Sequence, residues 1–129
     1  MKSIKKMGFI ALIIFYVAAG TNHFINPDFY IKIIPGYLPW PRVLNYLAGF
    51  CEVGLGLLLI LPVTRRWAAW GIVLMLVAFL PVHINMAVNA PLYLASAKVT
   101  PLLIWVRLLL VQPLLILWAS LFTRKLKNA

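Results

Sequence analysis

Four long apolar stretches alternate with short polar or basic segments along this chain. They cover residues 7–24, 43–61, 67–88 and 101–122. An α-helix needs about 20 apolar residues to cross the hydrocarbon core of a bilayer. We therefore predict four transmembrane helices in a single membrane domain that occupies residues 1–129. Short connections favour neighbouring antiparallel helices, so the expected fold is an all-α, up-down-up-down four-helix bundle.

The segment between the first two stretches has a different composition. Residues 29–41 read FYIKIIPGYLPWP. Its three prolines exclude a long helix, and its tyrosine and tryptophan rings prefer the boundary between membrane and water. We predict a Pro/aromatic-rich interfacial segment. It either covers a site below it or is a simple re-entry loop with aromatic anchors. Residues 89–98 are expected to form a second, short loop.

Composition and charge agree with a membrane protein. The chain is 64% hydrophobic with a mean hydropathy of +0.99, whereas soluble domains are about half apolar. The net charge is +10, but the basic residues lie at the ends of the apolar stretches. This placement indicates membrane topology and the lipid bilayer as partner, not nucleic acid. The single cysteine, Cys51, excludes an intrachain disulfide and a CxxC redox pair.

The distribution of basic residues predicts the orientation. Eight lie at the N-terminus, the Arg65–Arg66 turn and the C-terminus, and three lie on the opposite side. By the positive-inside rule, both termini are cytoplasmic, and we expect the bacterial plasma (inner) membrane. The basic start also resembles a secretory signal. Because the first apolar stretch continues to Phe24, a retained helix is favoured.

A carboxylate lies near the middle of the second stretch. This residue, Glu52, is one of only two acids in the chain. A charge at bilayer depth is costly, so it is normally paired, protonated or placed in a wet cavity. The helical rise of about 1.5 Å per residue places His23, His83 and Arg107 at a similar depth, in the outer half. We predict a buried polar site there, in which Glu52 pairs with Arg107 or with a histidine.

Helical spacing adds further candidates and a packing surface. Two sets of residues each share one helix face: Tyr16, Gly20 and His23 on the first helix, and Asn45, Gly49, Glu52 and Gly56 on the second. Glycines on membrane helices let a neighbouring backbone approach closely. The first set makes Tyr16 a candidate binding residue.

Two proline-linked positions complete the set of polar candidates. His83 and Asn85 point to opposite sides of a regular helix. Both stay candidates because Pro81 bends or rewinds that region. Gln112 precedes Pro113 and is expected to bond a carbonyl that this proline has freed, in a structural role.

The order of several short motifs resembles that of the DoxX-like family. The motifs are Ala19-Gly20-Thr21-Asn22-His23-Phe24, Pro27, Ile34-Pro35, Leu38-Pro39, Gly49-Phe50-Cys51-Glu52, Leu61-Pro62-Val63-Thr64-Arg65, Pro81, Met86-Ala87, and Arg107 with Gln112. The resemblance covers almost the whole chain. It implies a four-helix membrane fold and, for some relatives, links to quinone or thiosulfate oxidation, redox-stress complexes or receptor assembly. The carried-over polar positions are His23, Glu52, His83 and Arg107.

Three functions remain open at the level of sequence. The first is a binding or accessory subunit whose pocket holds a quinone, a lipid or a small amphiphile. The second is an enzyme with Glu52 and His83 as an acid/base pair, or, as a less favoured variant, haem held by His23 and His83. The third is an assembly factor that contacts another membrane protein or a second copy of the chain. No catalytic residue, cofactor motif or metal-ligand cluster is identified, and nucleic acid is not an expected partner.

Overall fold

The computed structural model describes residues 2–89, 92–94 and 97–124, and only the backbone of the two segments 92–94 and 97–99. Most of the described chain is helical. Two of the basic residues behind the predicted orientation, Lys125 and Lys127, lie outside the described residues. So do residues 90, 91, 95 and 96 of the predicted second loop.

The helices follow the apolar stretches, with breaks at prolines. They are α1 (Ser3–Ile25), α2 (Pro27–Ile31), α3 (Pro41–Leu58), α4 (Arg65–Ala78), α5 (Leu80–Val88), α6 (Pro101–Val106), a π-helical segment (Arg107–Val111) and α7 (Gln112–Ser120). Within the predicted second loop, β1 (Leu92–Leu94) pairs antiparallel with β2 (Ala97–Val99). The short α2 agrees with the expectation that prolines prevent a long helix in the interfacial segment.

Three helical stretches are long and apolar enough to cross a membrane: Ser3–Ile25, Arg65–Val88 and Pro101–Ser120. They support an integral membrane protein. The predicted second span, residues 43–61, corresponds to α3, which is not among the three. Arg42, Asn45 and Glu52 lower the hydropathy of α3, although it has 18 residues.

Prolines interrupt two of the three candidate spans. Pro81 lies at the start of α5 and separates it from α4. Pro113 lies at the start of α7, directly after the π-helical segment. Proline has no N–H to donate, so the helical hydrogen-bond ladder must rearrange next to it. This rearrangement gives the segment that begins at Arg107 its wider winding.

Helices α1 and α3 pack antiparallel at very short range. A Cβ atom built on Gly20 would lie 2.7 Å from the carbonyl oxygen of Gly49 and 2.7 Å from the backbone nitrogen of Val53. Gly56 contacts Val17 in the same crossing. Because no side chain fits between the two backbones, the glycine stripes predicted from spacing form the contact surface. The buried residues of α3 are the four predicted to share its face.

The other helix contacts complete a common core. Gly71 of α4 packs against Leu55 of α3, and α4 also contacts α7. The indole nitrogen of Trp118 on α7 donates to the carbonyl oxygen of Gly8 at 3.0 Å. The apolar core includes Leu12, Leu59, Ile72 and Ala119. It lies at the end where α1 begins and α7 ends, which leaves the opposite end for a cavity.

Candidate functional site

A cavity of about 590 Å³ lies at the end of the molecule opposite the apolar core. Two histidines, one acid and one arginine line it: His23 from α1, Glu52 from α3, His83 from α5 and Arg107 from the start of the π-helical segment. Most of the remaining lining is apolar: Ile33, Ile34, Leu38, Leu44, Leu47, Leu55, Leu74, Met75, Phe79 and Val82. The cavity is therefore amphiphilic, with a few polar groups in an apolar wall.

Asn45 holds His23 through two contacts. Its Nδ2 atom donates to the backbone carbonyl oxygen of His23 at 2.9 Å, and its Oδ1 atom lies 2.7 Å from Nδ1 of the same histidine. In a continuing helix, that carbonyl would accept from the N–H four residues later. This position is Pro27, which has no N–H. The Asn45 side chain thus satisfies a carbonyl that the end of α1 leaves without a backbone donor.

These two contacts determine which nitrogen of the His23 ring carries hydrogen. A carbonyl oxygen only accepts, so the NH₂ group of Asn45 must face it. The amide oxygen of Asn45 must then face Nδ1, and Nδ1 must be the donor. The second ring nitrogen, Nε2, points to Glu52.

Glu52 and His23 form the ion pair of the site. Nε2 of His23 lies 3.3 Å from Oε2 of Glu52, and only 6% of Glu52 is exposed. The contact is within ion-pair distance but does not have hydrogen-bond geometry, so Oε2 has no hydrogen-bond partner among the described residues. With Nδ1 protonated, a second proton on Nε2 gives the imidazolium form of His23, and the pair that it makes with an ionised Glu52 has a net charge of zero.

The interfacial segment forms part of the cavity wall. Tyr30 stacks on the His23 ring with 3.7 Å between ring centroids, and its hydroxyl oxygen accepts from Nδ2 of Asn22 at 2.6 Å. Burial raises the pKa of Tyr30, and the hydrogen bond from Asn22 opposes this rise. Three more residues of the segment, Ile33, Ile34 and Leu38, also line the cavity. The interfacial segment therefore covers part of the cavity.

Arg107 is held by an amide on its own helical stretch. Its Nη1 atom donates to Oε1 of Gln112 at 2.6 Å, and Nε2 of Gln112 donates to the carbonyl oxygen of Leu76 at 2.6 Å. The expectation that Gln112 bonds a carbonyl freed by Pro113 is wrong, because its acceptor lies on α4. Gln112 links α7 to α4 and at the same time orients Arg107 at the cavity.

The other sequence candidates take different positions. Tyr16 is buried on α1 and does not line the cavity, and its hydroxyl has no hydrogen-bond partner among the described residues. Asn85 also lies outside the cavity lining, and its side-chain oxygen accepts from Asn89 at 3.0 Å. Of the two partners expected for Glu52, the structure places His23 and not Arg107 within ion-pair distance.

Sequence reasoning did not assign three residues that shape the site. Asn45 was placed on the correct face of α3, and its position seven residues before Glu52 was a usable signal. Tyr30 was interpreted as a membrane-interface anchor. Gln112 was given a structural role without a link to Arg107. The last two depend on contacts between separate elements, which helical spacing does not reveal.

A family model described as Domain of unknown function (DUF8561) matches residues 12–123. The chain belongs to this family. No curated protein and no solved structure matches this chain. The matched range includes every ionisable residue that lines the cavity, and the family description gives no activity.

Proposed function

We propose that this chain is a DoxX-like four-helix bundle of the bacterial plasma membrane that binds an amphiphile, such as a quinone or a lipid, in its polar cavity. In this proposal α3 is the fourth span, beside α1, the α4–α5 stretch and the stretch from α6 to α7. The antiparallel packing of α1 on α3 and the contact of α7 with the start of α1 support an up-down-up-down order. The charge distribution supports cytoplasmic termini.

The observation that carries this proposal is the amphiphilic lining of the cavity. Ligand sites are commonly 300–1,000 Å³ in volume and mostly apolar, with a few polar groups that fix orientation. The cavity has this character, with a volume of about 590 Å³ and two histidines, one glutamate and one arginine in a mostly apolar wall. Its apolar part fits a hydrocarbon or isoprenoid tail. Its polar part fits an oxygen-bearing head, which Arg107 and His83 are placed to orient.

An accessory role in a redox complex is consistent with the His23–Glu52 pair. A quinone exchanges protons when it is reduced or oxidised, and an imidazole within ion-pair distance of a carboxyl group is suited to hold or release one. The role proposed for this pair is to hold a proton next to the head of the ligand. Bis-histidine haem does not fit these residues, because both ring nitrogens of His23 already face protein partners.

The test is to identify and remove the ligand. The protein is purified in a non-ionic detergent, and a solvent extract is analysed by mass spectrometry. We expect one stoichiometric amphiphile that is lost in His83→Ala and retained in Asn85→Ala. The second variant is a matched control, since Asn85 lies on the same helix as His83 but does not line the cavity. Only bulk lipid in the extract, with no binding of added quinone or lipid, would overturn the proposal.

A second candidate is an assembly factor in which the buried charges are structural. The network of His23, Asn45 and Glu52 crosses the α1–α3 contact next to Gly20 and Gly49, where it can fix the register of the two helices. The Glu52→Gln variant separates the two functions. If folding and partner assembly survive while ligand binding is also unchanged, the carboxyl group has no ligand-related role, and the assembly factor is favoured.

A further inference from the structure

The charge of the cavity is not balanced by the protein itself. The chain has two acidic side chains, Asp28 and Glu52, and the structure describes both. Neither has an oxygen within 4.0 Å of an Arg107 nitrogen. Glu52 instead lies within ion-pair distance of His23. Arg107 therefore adds one positive charge to the cavity without an acidic partner.

An unmatched charge at bilayer depth is unfavourable. Intramembrane arginines normally pair with an anion or face water, because lipid tails cannot solvate a guanidinium group. In this structure Arg107 is half-buried and donates to a neutral amide. One negative charge on a bound ligand would match the positive charge of Arg107. A second negative charge would exceed this balance.

We infer that the ligand is an amphiphile with a single negative charge on its head, and that this head binds at Arg107. The inference rests on the proposed function and names the chemical class of the ligand. A carboxylate and a phosphate diester share this chemistry, since each presents two oxygens to a guanidinium group and leaves one negative charge. The tail would lie against the apolar wall formed by residues such as Leu55, Leu74 and Phe79.

The setting of Arg107 suits this task. A guanidinium group has five N–H donors in a planar fork. Among the described residues, one donor of Arg107 is engaged, through the contact from Nη1 to Gln112. Because Gln112 also donates to the carbonyl oxygen of Leu76, its amide oxygen is fixed toward Arg107. The side chain is therefore oriented in advance, and other N–H donors remain for a ligand that lines the same cavity.

The primary test compares ligands that differ only in charge. Wild-type protein in phosphatidylcholine nanodiscs is titrated with hexadecanoate, with methyl hexadecanoate and with hexadecanol. We expect saturable binding of one hexadecanoate and binding at least about tenfold weaker for the two uncharged probes, equivalent to 1.4 kcal/mol. Equal binding of all three probes would overturn the monoanion inference and leave the amphiphile-binding proposal intact. Absence of binding by all three would overturn the inference. It would count against the proposed function only if added quinone and lipid also fail to bind.

Two variants test the position of the head. Arg107→Gln should remove the preference for hexadecanoate, whereas Arg42→Gln should keep it. Arg42 is a matched control because it is exposed at the start of α3 and does not line the cavity. Its substitution by glutamine removes the same charge as Arg107→Gln. Gln112→Glu provides a second test, since it gives Arg107 an acidic partner inside the protein. It should weaken hexadecanoate binding without weakening methyl hexadecanoate binding. A preference that persists in both Arg107→Gln and Gln112→Glu would place the anion elsewhere and overturn the inference.

A competition arm identifies the source of the anion. Nanodiscs that contain phosphatidylglycerol, whose head carries a phosphate diester, are compared with pure phosphatidylcholine nanodiscs. Reduced hexadecanoate binding in wild type, but not in Arg107→Gln, assigns the site to a lipid headgroup. Unchanged binding in wild type assigns it to a free single-chain carboxylate. Both results support a monoanion at Arg107.

Discussion

Nε2 of His23 lies 3.3 Å from Oε2 of Glu52, while Nδ1 of the same ring faces Asn45. The asparagine thereby determines the state of an acid that it does not touch. Since Nδ1 must donate to the amide oxygen, Nε2 is the ring nitrogen that faces the carboxyl group.

The Glu52→Gln variant should change the protonation of His23 in a defined way. The amide of the glutamine can donate to Nε2, so this nitrogen should become an unprotonated acceptor while Nδ1 stays protonated. Nitrogen-15 NMR of histidine-labelled protein measures both positions. The chain has two histidines, so a His83→Gln background leaves His23 as the single signal source. A ring protonated at Nε2 and not at Nδ1 would contradict the assignment.

The crossing of α1 and α3 should not tolerate a methyl group at Gly20. A Cβ atom there meets backbone atoms of Gly49 and Val53 at 2.7 Å, so the two helices must separate. We expect Gly20→Ala to lower the free energy of unfolding by about 1–3 kcal/mol and to disturb the His23–Glu52 pair.

Gly54 provides the control for this crossing, because nothing lies within 4 Å of a Cβ atom built on it. Gly54→Ala should stabilise α3 by up to about 1 kcal/mol through helix propensity alone. Reversible unfolding in mixed micelles measures both variants. Equal effects of the two substitutions would show that the close contact does not limit stability.

Removal of the Asn45 side chain should cost stability at the end of α1. In Asn45→Ala the carbonyl oxygen of His23 loses its donor, and Pro27 cannot replace it. Leaving a buried polar group without a partner costs about 1–3 kcal/mol.

Asn85→Ala is the matched control for this substitution, since the Asn85 side chain bonds only Asn89 among the described residues. We expect an effect near zero for it. The difference between the two midpoints of thermal unfolding is the quantity to measure, and a difference near zero would contradict the role given to Asn45.

The hydroxyl group of Tyr30 should lose its proton at a higher pH than that of an ordinary tyrosine. Its ionisation should therefore affect stability only at alkaline pH. Burial raises its pKa above the ordinary tyrosine value of 10.0, so the folded state binds this proton more tightly than the unfolded state. Its contribution to stability is therefore complete below about pH 10 and is lost as the pH rises through the raised pKa. The tyrosinate absorbance of wild type minus that of Tyr30→Phe isolates this group. A midpoint at or below 10 would contradict its burial in the cavity wall.

Cys51 should report on occupation of the cavity. It is the single cysteine of the chain, it is half-buried, and it lines the cavity beside Glu52. A bound amphiphile should block access to its thiol, so alkylation by a small maleimide should slow at saturating ligand. The rate is measured by mass spectrometry with and without hexadecanoate. An unchanged rate despite measured binding would place the ligand outside this cavity.

The sequence by itself determined the elements and much of the packing surface. Apolar stretches of about 20 residues are specified by local composition, and prolines mark where helices begin or are interrupted. The spacing of Asn45, Gly49, Glu52 and Gly56 identified the buried face of α3, because helical periodicity fixes which residues share a side. A cost for burying Glu52 was also evident from sequence, since a charge in an apolar stretch requires compensation.

Only the tertiary structure decided how that compensation is made. His23, His83 and Arg107 all lie at a depth that spacing can estimate, but spacing gives no rotation of one helix relative to another. The close approach of the two backbones at Gly20 and Gly49 brings His23 to Glu52. Gln112, which links α7 to α4, orients Arg107 toward the same cavity. Pairing depends on distances between side chains on separate elements. Those distances are set by helix rotation and crossing, which a one-dimensional pattern does not contain.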